Sequence, residues 1–228
     1  MLLSGIQAVV FDAVGTLIHP APPAPLVYAA VAARYGSTLP PQVIAERFIA
    51  AFVREEEIDR ATGLHTSEDR ERARWRRIVG QVLDDVTDPN ACFRELYDHF
   101  SRPDAWRCEA EALVTLEQLT DRGFTLGLAS NYDARLHTVL EGLPMLWTIT
   151  HVVISSEVGW RKPAPAFFAR VCHELALPAE QILYVGDDLS NDYAAAAAAG
   201  MRAVLFDPEY RAPAHVARVG RLAELLTT

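Results

Sequence analysis

Lysine is almost missing from this chain. Of its 21 lysines and arginines, only Lys162 is a lysine. Any chemistry that needs a side-chain ammonium or a Schiff base must therefore use that one position. Cysteine is scarce too: Cys92, Cys108 and Cys172 are an odd count without metal-ligand spacing. That excludes a cysteine-built metal site and fits a reducing compartment. Positive charge is in deficit, with a net charge of −9. Such a surface repels a phosphodiester polymer, so nucleic acid is not an expected partner. No apolar run approaches the ~20 residues that span a bilayer, and the N-terminus has no basic n-region of a signal peptide. The expectation is a cytoplasmic protein with no membrane contact. Oligomeric state leaves no readable mark.

What is present is a chain of 228 residues, 50% hydrophobic and 22% charged, the balance of a folded domain, or of one domain carrying an insertion. Five short β-branched or apolar runs predict core strands at 7–12, 124–129, 151–155, 181–186 and 202–206. Helical periodicity separates the later ones: Glu109–Arg122 stops before Gly123, Tyr132–Glu141 before Gly142, Pro163–Ala176 follows a proline-rich entry, and Tyr193–Ala199 ends at Gly200. Strands alternating with helices predict right-handed βαβ units and a parallel, doubly wound α/β sheet.

About a hundred residues separate the first two strands, too many for one crossover. After the hinge-like Pro20–Pro25, the segments Leu26–Tyr35, Pro41–Ile58, Ser67–Val86 and Pro89–Phe100 read as helices. Thr66-x-x-Asp69 predicts a capping box on the third, and Glu68 with Arg72 predicts an i,i+4 pair on it. The division expected is a core of residues 1–17 and 105–228 with a helical cap at 18–104.

Polar groups cluster where predicted strands end. Asp12 closes the first run and opens the loop Ala13-Val14-Gly15-Thr16. Ser130-Asn131 follows the second. Arg161-Lys162-Pro163 precedes a helix. Gly186-Asp187-Asp188-x-x-Asn191-Asp192 follows the fourth. Gathered on one sheet edge, where open α/β sheets bind ligands, these acids, one ammonium and hydroxyl and amide donors would make a site for phosphate and Mg²⁺, a cation that prefers hard oxygen ligands.

In this arrangement the chain resembles the haloacid dehalogenase superfamily. Asp12-x-x-Gly15-Thr16 matches the first motif, Ser130 the second, Lys162-Pro163 the third, and Gly186-Asp187-Asp188-x-x-x-Asp192 the fourth. The stretches around Ser130–Leu136, Ser156–Gly159 and Asn191–Tyr193 are similar to the branch called haloacid dehalogenase-like hydrolase domain-containing proteins. The resemblance implies a Rossmann-like sheet of order 5-4-1-2-3 with a helical cap of the C1 type. It implies a hydrolase, with Asp12 as a nucleophile that forms an aspartyl-phosphate. Mg²⁺ would be held by Asp12, the backbone carbonyl of Val14, Asp187 and Asp192, with Asp188 a further candidate. Ser130 and Lys162 would neutralise charge on the phosphoryl group. Thr16 and Asn131 would serve on the substrate side, Thr16 by bracing the loop and Asn131 by donating a hydrogen bond. The implied partner is a small phosphorylated metabolite.

Val14 departs from this pattern. Phosphatases of the family carry there an aspartate that protonates the leaving oxygen, help typically worth ~10²–10⁴-fold in rate. Three readings follow: a slow phosphatase or one that takes its acid from the cap, a 2-haloacid dehalogenase, or a phosphate-binding regulatory protein with little turnover. Dehalogenases need no acidic fourth motif, and the cap has no lysine for phosphonatase chemistry. Cap candidates for the substrate or the missing acid are His19, Arg54, Arg60 and His65. The arginines Arg70, Arg72, Arg74, Arg76 and Arg77 span a helix circumference, so most are expected on a solvated face. Trp75 and Trp106 are expected to be core anchors.

Overall fold

The computed structural model describes residues 2–227. Eight strands occur among them: β1 Ala8–Phe11, β2 Ile18–Pro20, β3 Trp106–Cys108, β4 Thr125–Ser130, β5 His151–Ile154, β6 Ile182–Gly186, β7 Arg202–Phe206 and β8 Arg218–Val219. Six form one sheet in the order β5-β4-β1-β6-β7-β8, with every neighbouring pair parallel. The five expected strands stand in the expected order. β8 is an addition at the edge; its two residues are too short for any periodicity to reveal.

β1 shows why the sequence folds this way. All four residues of Ala-Val-Val-Phe are buried, and alternation sends them to opposite faces. Val9 and Phe11 join Leu116, Leu119, Leu136 and Val139 on one side. Ala8 and Val10 join Phe167, Phe168 and Val171 on the other. Helices α5 (Ala112–Asp121) and α6 (Arg135–Glu141) cover the first face, and α8 (Pro165–Leu175) with α9 (Ala195–Ala198) the second. A strand buried on both faces is the mark of a doubly wound parallel sheet. α7 is a single turn, Ser155–Val158.

Strand order reverses at β1: β4 and β5 lie to one side, β6 to β8 to the other. Such a switch point leaves a crevice at the carboxyl ends of the strands. The chain leaves this region through β2 and returns through β3, which pair antiparallel with Ile18 opposite Cys108 and Pro20 opposite Trp106. Between them run α1 (Ala24–Arg34), α2 (Pro41–Ala61), α3 (Glu68–Val82) and α4 (Pro89–His99). They enclose a hydrophobic cluster of their own around Tyr28, Ile44, Ile78, Phe93 and Leu96.

Local expectations at α3 are corrected. Its N-cap is Ser67, whose side chain accepts from the Arg70 amide; Thr66 instead donates to Glu71 at 2.7 Å. Glu68 does not pair with Arg72. Its carboxylate accepts from the Ala134 amide at 3.0 Å and from the Ser156 hydroxyl, so tertiary partners outcompete the neighbour along the helix. The start of the alanine helix also differs: Leu189–Ala194 is a π-helical turn capped by Asp188, and the α-helix begins only at Ala195.

Candidate active site

Asp12 follows the last residue of β1, and its amide continues the ladder to Val185 at 2.8 Å. The loop beyond it turns tightly at Gly15, where φ is +99° and a β-carbon would sit 2.3 Å from the Asp187 carboxylate. Only glycine permits both the turn and the close approach. Gly186, at the end of β6, lets Asp192 approach in the same way, with a β-carbon there meeting the Asp192 carboxyl at 2.3 Å. These two glycines set the loops after β1 and β6 against each other. As a result Asp12, Asp187 and Asp192 each bring a carboxylate oxygen within 4.8 Å of the others.

Lys162 lies at the centre of this group. Its Nζ donates to Asp192 at 2.6 Å and to Asp12 at 2.7 Å, and approaches the Tyr184 hydroxyl at 3.2 Å. Tyr184 in turn donates to the Ala129 carbonyl at 2.8 Å. Burial opposes the ammonium, but Asp12 and Asp192 outweigh it and hold its pKa well above the ordinary value. The backbone of Lys162 is fixed by a reciprocal pair with the Asn131 side chain: the Lys162 amide donates to Asn131 Oδ1 at 2.7 Å, and Asn131 Nδ2 donates to the Lys162 carbonyl at 3.1 Å. Asn131 thus joins the loop after β4 to the lysine, although it also lines the cavity. Thr16 is fully buried and donates to Asp187 at 3.1 Å, which makes it a brace between the loops after β1 and β6. Ser130 and Val14 line the cavity.

Three carboxylates face one ammonium, and the acids register the imbalance. Burial first, and then Asp12 against the pull of Lys162, raises the Asp192 carboxyl to about 6. Asp187 rises to about 7 through desolvation and the charges of Asp12 and Asp192. Asp187 stands on the open side of the site wall. A crowded set of hard oxygen donors short of positive charge is what a small divalent cation satisfies.

The group opens on a cavity of about 390 Å³, at the small end of ligand pockets. Its other walls come from the helices and β3: Tyr28, Phe48, Phe52, Trp75, Phe100 and Trp106 among them. Both tryptophans therefore face the cavity as well as the core. None of His19, Arg54, Arg60 and His65 lines it. His19 is bound to Glu109 at 2.8 Å, His65 packs on Trp160 with ring centroids 3.8 Å apart, Arg60 pairs with Glu56 at 3.3 Å, and Arg54 is exposed. The polar groups that the helices present instead are Glu56 and Arg74. Glu56 accepts from Asn191 at 3.2 Å.

Of the arginine run of α3, Arg72, Arg76 and Arg77 are exposed, as expected of most of it, and Arg70 is half-buried; Arg74 is the exception. Arg74 is 1% exposed and donates to buried Asp59 at 3.0 Å. Arg77 makes a forked pair with buried Glu55. Their signal was in the sequence: Glu55 and Asp59 on α2, and Arg70, Arg74 and Arg77 on α3, recur at helical spacing and so form two facing stripes.

A sequence profile of haloacid dehalogenase-like hydrolases matches residues 6–200. The chain belongs to the haloacid dehalogenase-like hydrolases. Within that family it is 29% identical over 208 residues to human haloacid dehalogenase-like hydrolase domain-containing protein 3, covering 88% of this chain and 81% of that protein. Alignments with the zebrafish and bovine counterparts span less than half the length of those proteins. It is 35% identical over 99 residues, 43% of this chain and 41% of the relative, to ribulose-1,5-bisphosphate 5-phosphatase of Halopiger xanaduensis. The fold matches that of L-2-haloacid dehalogenase from Xanthobacter autotrophicus with a TM-score of 0.78 at 16% identity, covering 96% of both chains. The same fold is found in a solved structure described as a HAD phosphatase, from Thermococcus onnurineus, with a TM-score of 0.68 at 24% identity over 97% of both chains. Among its described residues no helix is long and apolar enough to cross a membrane.

Proposed function

We propose that this hydrolase is a Mg²⁺-dependent phosphatase acting on a small phosphorylated metabolite through Asp12. The observation that carries this reading is the meeting of Asp12, Asp187 and Asp192 around Lys162 at the wall of a small cavity. Phosphatases among the relatives support it. Asp12, the Val14 carbonyl, Asp187 and Asp192 would hold the cation, which when bound supplies positive charge to the phosphoryl oxygens.

The chain's own residues account for the rest. Lys162 binds one oxygen of Asp12 and leaves the other to attack phosphorus. The ester P–O bond breaks with its electron pair on the leaving oxygen, which departs as an oxyanion and is protonated by water; a second water then attacks phosphorus and frees phosphate and the Asp12 carboxylate. Ser130 and Lys162 offset the developing charge. Val14 can transfer no proton, so leaving groups that need none are favoured. Residues 18–104 act as a cap over a core of 1–17 and 105–228. Dehalogenation is disfavoured because three carboxylates would repel a haloacid carboxylate.

The test is phosphate release from p-nitrophenyl phosphate. Release that requires Mg²⁺ and is lost in Asp12→Asn supports the phosphatase. Halide release from a 2-haloacid that persists in EDTA replaces it with the dehalogenase. Tight phosphate-ester binding with no turnover replaces it with a regulatory binding protein.

A further inference from the structure

Among the described residues, Arg74 is a buried charge with an unpartnered nitrogen. It is 1% exposed, its hydrogen bond runs from Nε to Asp59, and its Nη2 has no partner. Buried charged donors without acceptors are costly and rare in native structures, so this one calls for an explanation.

The neighbours do not provide a partner. Asp59 is shared among Arg74 at 3.0 Å, Arg161 at 3.3 Å and Arg70 at 3.4 Å. Glu71 takes Arg161 and Thr66. Glu55 is closed by Arg77. Three guanidiniums thus share two carboxylates, Asp59 and Glu71, and the cluster is one counter-charge short. Burial and Arg161 lower the pKa of Arg74 from its ordinary value, as expected of a guanidinium lacking an anion, yet it stays protonated. Arg74 and Arg161 both stand among the residues that line the cavity. There its Cζ stands 4.7 Å from the Phe52 ring centroid and 5.8 Å from that of Trp75, aromatic faces that hold a cation without neutralising it. Arg161 is joined by a peptide bond to Lys162, so the cluster and the Asp12 site border the same small space.

We propose that Arg74 is a specificity-determining residue that receives a second oxyanion, carboxylate or phosphate, on a substrate whose phosphoryl group lies at Asp12. This rests on the phosphatase reading and narrows it to compact metabolites with two anionic ends.

The experiment separates the two claims. Asp12→Asn protein is titrated calorimetrically in Mg²⁺ with 3-phosphoglycerate, ribulose 1,5-bisphosphate and glycerol 3-phosphate. At least one of the first two should bind roughly ten-fold or more tightly than glycerol 3-phosphate, the size of one charge-assisted hydrogen bond; which one it is distinguishes carboxylate from phosphate. Adding Arg74→Met should bring the ratio close to one. Arg74→Lys keeps a charge beside Asp59 without the planar fork, and should give an intermediate ratio; it serves if the methionine variant does not fold. Equal binding of all three probes, or a ratio untouched by either substitution, overturns the inference. Preferential binding without phosphate release by the unmodified enzyme overturns only the phosphatase reading.

Discussion

Replacing Lys162 by methionine removes the one positive charge that touches both Asp12 and Asp192. The three side chains are 3%, 9% and 2% exposed, so water cannot substitute. Breaking a buried pair from one side typically costs about 3–5 kcal/mol, which in a protein of this size lowers Tm by roughly 6–20 °C at 2–4 °C per kcal/mol. Methionine fills much of the same volume, so the loss is electrostatic rather than a cavity. Urea unfolding in EDTA reads it. The loss should be larger at pH 8 than at pH 5, because the stranded carboxylates can take up protons at the lower pH. Mg²⁺ should stabilise Lys162→Met more than the unmodified protein, since the variant frees two acids for the cation. A loss below about 1 kcal/mol, the range of an exposed pair, or the same loss at both pH values, would refute the view that Lys162 neutralises this site.

Val14→Asp restores a proton donor on the cavity wall and should raise turnover of an alkyl phosphate at least ten-fold, toward the ~10²–10⁴-fold that acid–base help typically supplies; steady-state kinetics that show no gain would place the acid elsewhere. The raised carboxyls of Asp187, about 7, and Asp192, about 6, set a pH dependence. Groups whose folded pKa exceeds the unfolded value contribute stability below that unfolded value, near 4, and lose it as pH rises through the folded one. Without a divalent cation, melting temperature should therefore fall from pH 5 to pH 8, and Mg²⁺ should flatten the fall; a flat profile in EDTA would contradict the crowding of the acids.

Five strand runs and the convergence of four motifs were legible because those strands are short, apolar and followed by a polar turn; the strand order was implied by the family resemblance. Lys162 stood out by being the only lysine. Tyr184 was hidden: inside an apolar strand, a tyrosine reads as core until its hydroxyl is seen against Lys162 and Ala129. Which of the α3 arginines is buried was not legible, because one helix considered alone cannot show which face its neighbour covers. Only the packing of α2 on α3 turns a polar stripe inward. β2 and β3 are three residues each, and their pairing joins segments some ninety residues apart, beyond the reach of local periodicity.

The lone lysine also makes the protein its own reporter. Amine-directed acylation can reach Lys162 Nζ only when the loops around it part, so in the intact fold its modification rate counts openings of the site. Ligands that seal the cavity should slow that clock.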